Sequence, residues 1–425
     1  MKTFKQIHTL VILALCSILL AACGSSDTPT PTPVEEKHHL QIKFSLPDGC
    51  ENGTLNNISL TFTEQNTNKT TTLTPTATSS NSVEVELATG LYKMDVTGTL
   101  TYTDVDNVQQ NVTIAGYDGS IQISAGSGAK SLSCALFLSS NKESRGFVLA
   151  EIFCAGTATP QGSYYYADKY FVIYNNTDHV LYADSLVIAE SEFLSTMKEN
   201  YEPNIMNSDM AVAAMYMIPG RGHDVPVQPG GKLLIVDNAL NHKGANSNSW
   251  DLTTADYEWF DESTNPDYSD VDNPDVPNLE KIYCYTRTMW SPHTQGFRSY
   301  ALARMQTDKE TFLIDNMYGY SYHLVGATGE ADMTGNCYRL PNSWIIDAVN
   351  MSSHSGWQWN VISAALDRGY TYNSEFNFDD SRLGKSVRRK VERMDGNRAV
   401  LQDTNNSTED FEPRVEADPF HIFGL

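Results

Sequence analysis

Several groups of residues in this 425-residue chain have types and spacing that could do chemistry. Asp267, Asp270, Asp272 and Asp275 fall in one short acidic stretch, and hard cations such as Ca2+ take several oxygen ligands from a flexible loop. Their spacing is not that of an EF-hand, so a solvated acidic loop competes with a calcium site. Met206, Met210, Met215 and Met217 precede His223, and thioethers with imidazole suit a soft metal or haem. Met215, Met217 and His223 are the residues such a site would use; adaptable core packing is the other reading. Asp403, Asn405, Ser407 and Asp410 read as turn and cap chemistry. Lys385, Arg388, Arg389 and Lys390 read as a strand face that balances an acidic surface, with an anion site as the alternative. Gly384-Lys385-Ser386 is not a phosphate loop, because Asp379 stands where the earlier glycine is required. No Gly-x-Ser-x-Gly or His-Glu-x-x-His motif is present, so the expectation is a protein that is not an enzyme.

The N-terminus carries more specific chemistry. Lys2 and Lys5 precede an apolar run from Leu10 to Leu20, too short for a comfortable membrane span of about 20 residues. Leu20-Ala21-Ala22-Cys23 follows and resembles the bacterial lipobox. That resemblance implies cleavage before Cys23 and lipid attachment to its thiol, with several acyl chains giving stable anchoring. Residues 1–22 are then a signal peptide and residues 23–38 a lipidated Pro/Thr-rich tether. Gly24 rather than Asp follows the cysteine, which points to the outer membrane and leaves surface or periplasmic orientation open.

Of seven cysteines, five lie beyond Cys23, an odd number in a compartment that permits disulfides. Cys50 and Cys134 fall in one expected domain and are the disulfide candidate, burial as small apolar residues being the alternative. Lys+Arg is 29 against Asp+Glu 52, a net charge of −23 that argues against nucleic-acid partners.

All of these groups need a scaffold, and the patterning is all-β. Leu40, Ile42 and Phe44 alternate with polar residues, as do Ile58, Leu60 and Phe62, then Val83, Val85 and Leu87, then Tyr92, Met94 and Val96, then Leu132, Cys134 and Leu136. Residues 39–140 are therefore expected to form a sandwich of roughly seven strands. The segment from Ala88 to Val96 resembles a strand of transthyretin-like carrier sandwiches. Past a polar junction, residues 146–425 contain all six tryptophans. The runs 146–153, 170–174 and 232–236 are nearly continuously apolar, as strands buried on both faces are. Helices are expected near 191–201 and 357–366.

The second domain resembles a lamin-tail-type β-sandwich with long loop insertions. The blocks that carry the resemblance are 147–153, 170–188, 227–236 and 384–411, including Pro229-Gly230-Gly231 and the ending from Asp403 to Phe411. Over residues 146–411 the chain also resembles an uncharacterised family of Bacteroides-type outer-membrane lipoproteins. Its segments are 216–220, 256–261, 273–278 and 340–349. That resemblance implies a partner among TonB-dependent receptors and a nutrient cargo such as iron or haem; it implies no catalysis and no firm cofactor. Tyr164, Tyr165, Tyr166, Trp250, Tyr257, Trp259, Tyr285, Trp290, Trp357 and Trp359 are either a protein or glycan interface or core between long loops. The expected function is a membrane-anchored binding lipoprotein; a structural or adhesive surface protein is the alternative.

Overall fold

The computed structural model describes residues 37–47, 50, 52–76, 81–103, 109–124, 126, 130–139, 146–263, 265–326, 329–421 and 423. The expected signal peptide, Cys23, most of the tether and the 140–145 junction lie outside the described residues.

Alternation of apolar and polar residues builds the first unit. Its seven strands run in the order Thr70–Leu73, Thr54–Glu64, Gly90–Thr103, Gln109–Ile123, Lys130–Ser139, Lys37–Ser45, Ser82–Ala88. All neighbours are antiparallel except Lys37–Ser45 and Lys130–Ser139, which run parallel. The last strand belongs to both layers. Residues 130–135 pair with the first strand, and residues 136–139 pair with Gln109–Ile123. Leu40, Ile42, Ile58, Leu60, Phe62 and Val83 meet in the core between the layers. Cys50 and Cys134 lie in the same core. Cys134 Sγ lies 4.0 Å from the Tyr117 carbonyl, and burial pushes the Cys134 thiol up to about 11.

Two larger sheets form the second unit. One runs Tyr257–Glu258, Lys232–Val236, Tyr170–Asn175, Phe147–Phe153, Lys385–Arg389, Phe411–Glu416. The other runs Met317–Gly326, Gly329–Pro341, Asp209–Met217, Leu186–Ser191, Tyr300–Arg304, Ile345–Val349, and Glu280–Cys284 also pairs with Asp209–Met217. Leu149, Phe171 and Ile173 of the first sheet meet Ile188, Tyr216 and Leu302 of the second. The outer faces are covered too. Val148, Tyr170 and Leu234 lie under Leu252, Val276 and Leu401. Val187, Val212 and Ala303 lie under Phe312 and Ile362. Strands covered on both faces have no need to alternate, and every residue of Phe147–Phe153 is buried. The architecture is all-β, as the patterning predicts.

The two expected helices do not form. Residues 191–201 are an irregular loop because its carbonyls are taken elsewhere. The Trp359 indole N–H donates to the Leu194 and Met197 carbonyls at 2.9 and 3.0 Å, and Ser195 N–H donates to the Phe297 carbonyl. Residues 357–366 are likewise a loop, laid across that first one. A helix does form at Lys309–Asp315, capped by Asp308, whose side chain accepts from Thr311 N–H at 2.9 Å.

An ion pair joins the two units: Arg368 Nη1 lies 2.6 Å from Asp95 Oδ1. Both side chains are partly exposed, so Asp95→Ala is expected to change the free energy of unfolding by less than about 1 kcal/mol. Solution scattering of the same variant should show a broader distribution of the two units. An unchanged scattering profile would mean that other contacts set their arrangement.

Candidate aromatic pocket and buried polar cluster

A cavity of about 390 Å³ opens beside the 191–206 loop. Phe193 and Tyr201 stack with ring centroids 3.6 Å apart, and Trp359 stacks on Tyr201 at 5.9 Å. Tyr320 meets Phe193 and Tyr201 edge-on. The rings are assembled from three distant stretches, and Tyr318, Tyr320 and Trp359 are pinned at their polar ends. Tyr318 donates to the Pro203 carbonyl at 2.7 Å, and Tyr320 donates to Glu192 at 2.8 Å. Burial raises the Glu192 carboxyl despite Arg298 at 3.7 Å. Glu199, Glu202 and Asp209 line the same cavity with Lys198, Asn200, Asn204 and Asn360, so its charged residues are mainly acidic. A ligand here would lay an apolar face on the rings and offer donors or positive charge to the carboxylates. Tyr320→Phe removes the hydroxyl that satisfies Glu192. A loss of about 1 kcal/mol is expected in urea unfolding, with no loss meaning that water replaces the bond.

A second group sits at one end of the inter-sheet core of this unit. Glu190 accepts from the Trp290 indole at 3.1 Å, the His293 N–H at 2.8 Å and the Tyr300 hydroxyl at 3.1 Å. Asp261 accepts from the Trp290 N–H at 2.7 Å and from the Tyr216 hydroxyl, and it pairs with Lys281. Trp290 is fully buried, its ring stacked on Tyr216 and Phe171. Lys169, also fully buried, donates through Nζ to Ser291 Oγ at 2.5 Å.

Burial pushes Asp237 up to about 8 and Asp367 up to about 7, and pushes His293 down to about 4. A carboxyl raised on folding binds a proton the unfolded chain has lost, so it contributes stability below the unfolded value, near 4, that is lost as pH rises through the folded one. His293 acts oppositely between about 4 and 6.5. Above pH 6.5 the imidazole no longer changes, and the two carboxyls together outweigh the opposing effect of Lys169, which burial lowers. The melting temperature is expected to fall from pH 6 to pH 8; a rise over that interval would contradict the assignment.

The structure separates the sequence-derived candidates. Met215 is fully buried in the core over the second sheet and Met217 packs against that cluster, while His223 is exposed on the loop beyond, edge-on to Tyr182. They do not converge, because the strand turns both thioethers into the core. Nor do the four aspartates. Asp270 accepts from the Asp261 and Val271 N–H groups, Asp272 accepts from Asn278, and Asp267 and Asp275 are exposed and donate their own N–H groups to Asn265 and Asn273. Among the described residues, no group of three or more His, Cys, Asp or Glu is placed to hold a metal ion. Neither is the acidic stretch simply solvated: Glu258 and Asp261 are buried and hold backbone N–H groups.

The basic run also differs from expectation. Arg389 is buried and its Nη2 donates to both carboxylate oxygens of Asp347 at 2.7 Å, and Arg388 pairs with buried Glu151 at 2.8 Å. Successive strand residues point to opposite faces, so Arg388 and Arg389 enter separate ion pairs, and Lys385 pairs with Glu416, rather than forming one surface stripe. The Asp403–Asp410 group is indeed turn and cap chemistry: Asn406 caps Ser407–Asp410, and Asp410 accepts from Thr404 N–H at 2.8 Å. The aromatics divide between both readings. Trp259 and Trp290 are core; Tyr164, Tyr166, Tyr285 and Trp357 are exposed. Phe193, Tyr201 and Tyr320, central to the pocket, carry no short-range sequence signal.

Fold and pockets together define an all-β protein built as two sandwiches in series, with an aromatic recess on the second. Residues 228–418 match the family model DUF4876, described as a protein of unknown function. Over 90% of this chain and 96% of that one, the fold is similar to a DUF4876 family protein from Bacteroides thetaiotaomicron, at 19% identity and a TM-score of 0.50. These two findings agree with the resemblance to an uncharacterised Bacteroides-type family. Partial matches to a DUF3823 family protein from Parabacteroides merdae (10% identity, 37% of this chain and 67% of that one) and to a provisionally assigned adhesin from Bacteroides ovatus (8%, 75% and 88%) have TM-scores of 0.14 and 0.18 and carry no structural argument. No curated protein matches. Among the described residues, no helix is long and apolar enough to cross a membrane.

Proposed function

We propose that this chain is an outer-membrane-anchored binding lipoprotein that serves a TonB-dependent uptake system. In this reading Cys23 carries the lipid, the first sandwich is a spacer, and the aromatic pocket of the second takes the cargo. The observation that supports it is the 390 Å³ recess in which Phe193, Tyr201 and Trp359 are stacked beside carboxylates. Such a recess suits a small amphipathic ligand, neutral or cationic. An iron or haem source is the cargo to test first, because metal analysis reads it directly.

The test is a mild-detergent affinity pull-down of the native lipoprotein, with bound proteins and metals both analysed. Recovery of an outer-membrane β-barrel receptor is the expected result. A protein recovered alone and metal-free would overturn the uptake reading.

One further observation favours an adhesive surface protein as the second reading. Trp357 and Tyr370 stack within 6° of parallel, and nearby Phe376 and Phe378 are exposed. Exposed aromatics outside a closed pocket suit a macromolecular partner. Binding to immobilised matrix or glycan without any effect on uptake would select this reading.

A further inference from the structure

We infer that Ser291 and Lys169 form a nucleophilic dyad that cleaves carboxylic esters at the end of the second sandwich. The inference is independent of the aromatic pocket and of the uptake reading.

The argument starts from accessibility. Ser291 is exposed, whereas Lys169 is fully buried, and Nζ lies 2.5 Å from Oγ. Solvent therefore reaches the hydroxyl and not the amine. A surface lysine finds water or a carboxylate; this one forms no ion pair among the described residues. Serine activation needs this arrangement, a base held against the hydroxyl and shielded from bulk water.

Rigidity is the second point. The peptide N–H groups on either side of Ser291, those of Trp290 and His293, are held by the buried carboxylates Asp261 and Glu190. The Trp290 ring is clamped between Phe171 and Tyr216. Pro292 follows and fixes its own φ. The hydroxyl is therefore fixed by its neighbours rather than left on a free loop, as a reacting group must be.

The charge surroundings allow the amine to act as a base. Burial lowers Lys169, opposed by Asp237, Cys154, Glu190 and Asp168. Asp237, pushed up to about 8, is mostly protonated at pH 7 and so offers little counter-charge. Glu190 and Asp168 accept hydrogen bonds from neutral donors, so they still oppose the effect of burial on Lys169, and burial remains the larger influence.

In the proposed step, Ser291 Oγ bonds to the ester carbonyl carbon while its proton passes to neutral Nζ. The tetrahedral adduct breaks its bond to the alkoxy group, which takes that proton from the ammonium and leaves as an alcohol. Water then adds to the acyl-serine by the same route, giving the carboxylic acid and the free hydroxyl. No oxidant or metal is required.

The experiment treats the full chain with a fluorophosphonate reagent, followed by peptide mass mapping and by p-nitrophenyl acetate turnover. Covalent addition at Ser291 is expected, at a rate that rises with pH as Nζ loses its proton. Ser291→Ala should abolish both adduct and turnover. Lys169→Met should slow labelling by about 100-fold or more if it folds. Where it does not fold, the wild-type pH profile decides, and a flat profile overturns the dyad. A folded wild type left unmodified at Ser291, or labelling unchanged in folded Lys169→Met, overturns it equally.

Discussion

Replacing Arg389 by methionine is expected to lower the free energy of unfolding by about 3–5 kcal/mol. The guanidinium is buried, its Nη2 donating to both Asp347 carboxylate oxygens at 2.7 Å, with Asp403 at 3.5 Å and Asp410 at 3.7 Å from Nη1. It also donates to the Leu149 and Gln402 carbonyls and lies over the Phe411 ring. One cation thus fastens three segments: the Phe147–Phe153 strand, the Ile345–Val349 strand of the facing sheet, and the C-terminal loop. Methionine fills much of the volume but leaves the carboxylate of Asp347 buried without its cation. The loss therefore measures a stranded charge rather than the worth of the pair. Arg389→Met/Asp347→Leu should recover much of it, because the remaining charge is removed as well. Urea unfolding of the wild type and both variants checks this. A double variant no more stable than the single one would locate the effect in packing.

Trp290→Ala is expected to cost about as much, roughly 3–5 kcal/mol. The ring contacts Phe171, Tyr216 and Trp259 at centroid distances of 5.8, 4.8 and 5.1 Å, so alanine opens a large cavity at the sandwich end. The substitution also takes the indole donor from Glu190. Trp290→Phe keeps most of the volume and loses the donor. It should therefore retain more than half of the stability lost by alanine, and calorimetry of both variants separates the two contributions. Equal losses would mean that the indole hydrogen bond dominates.

Much of the scaffold could be read directly from residue order. Leu40, Ile42 and Phe44 announce a half-buried strand through strict alternation, and all three are core. The run from Phe147 to Phe153 announces a strand covered twice, as it is. Both signals are local, since a strand's own residues record which of its faces meets water. The loops gave no such record. Ser191 to Tyr201 has helix-compatible residues, yet the Trp359 indole, far along the chain, takes two of its carbonyls. Spacing alone suggested that Asp267, Asp270, Asp272 and Asp275 could share one cation. In the fold, backbone N–H groups and asparagine amides occupy part of that set instead. The Arg388 and Arg389 partners lie more than two hundred residues upstream and some forty residues upstream respectively, so no window on the sequence holds both ends of either pair. Sites assembled across long separations stay hidden until the chain is folded, and Lys169 with Ser291 is one of them.

The parallel pairing in the first sandwich has a mechanical meaning. Residues 40–45 of its first strand run alongside residues 130–135 of its last, in the same direction. Tension applied between the N-terminal end of one and the C-terminal end of the other pulls along the strands rather than across them. All the inter-strand bonds of that pair are then loaded together in shear, whereas an antiparallel hairpin pulled open from its ends unzips bond by bond. A module wired in this way transmits force without extending, until the whole pair gives way at once.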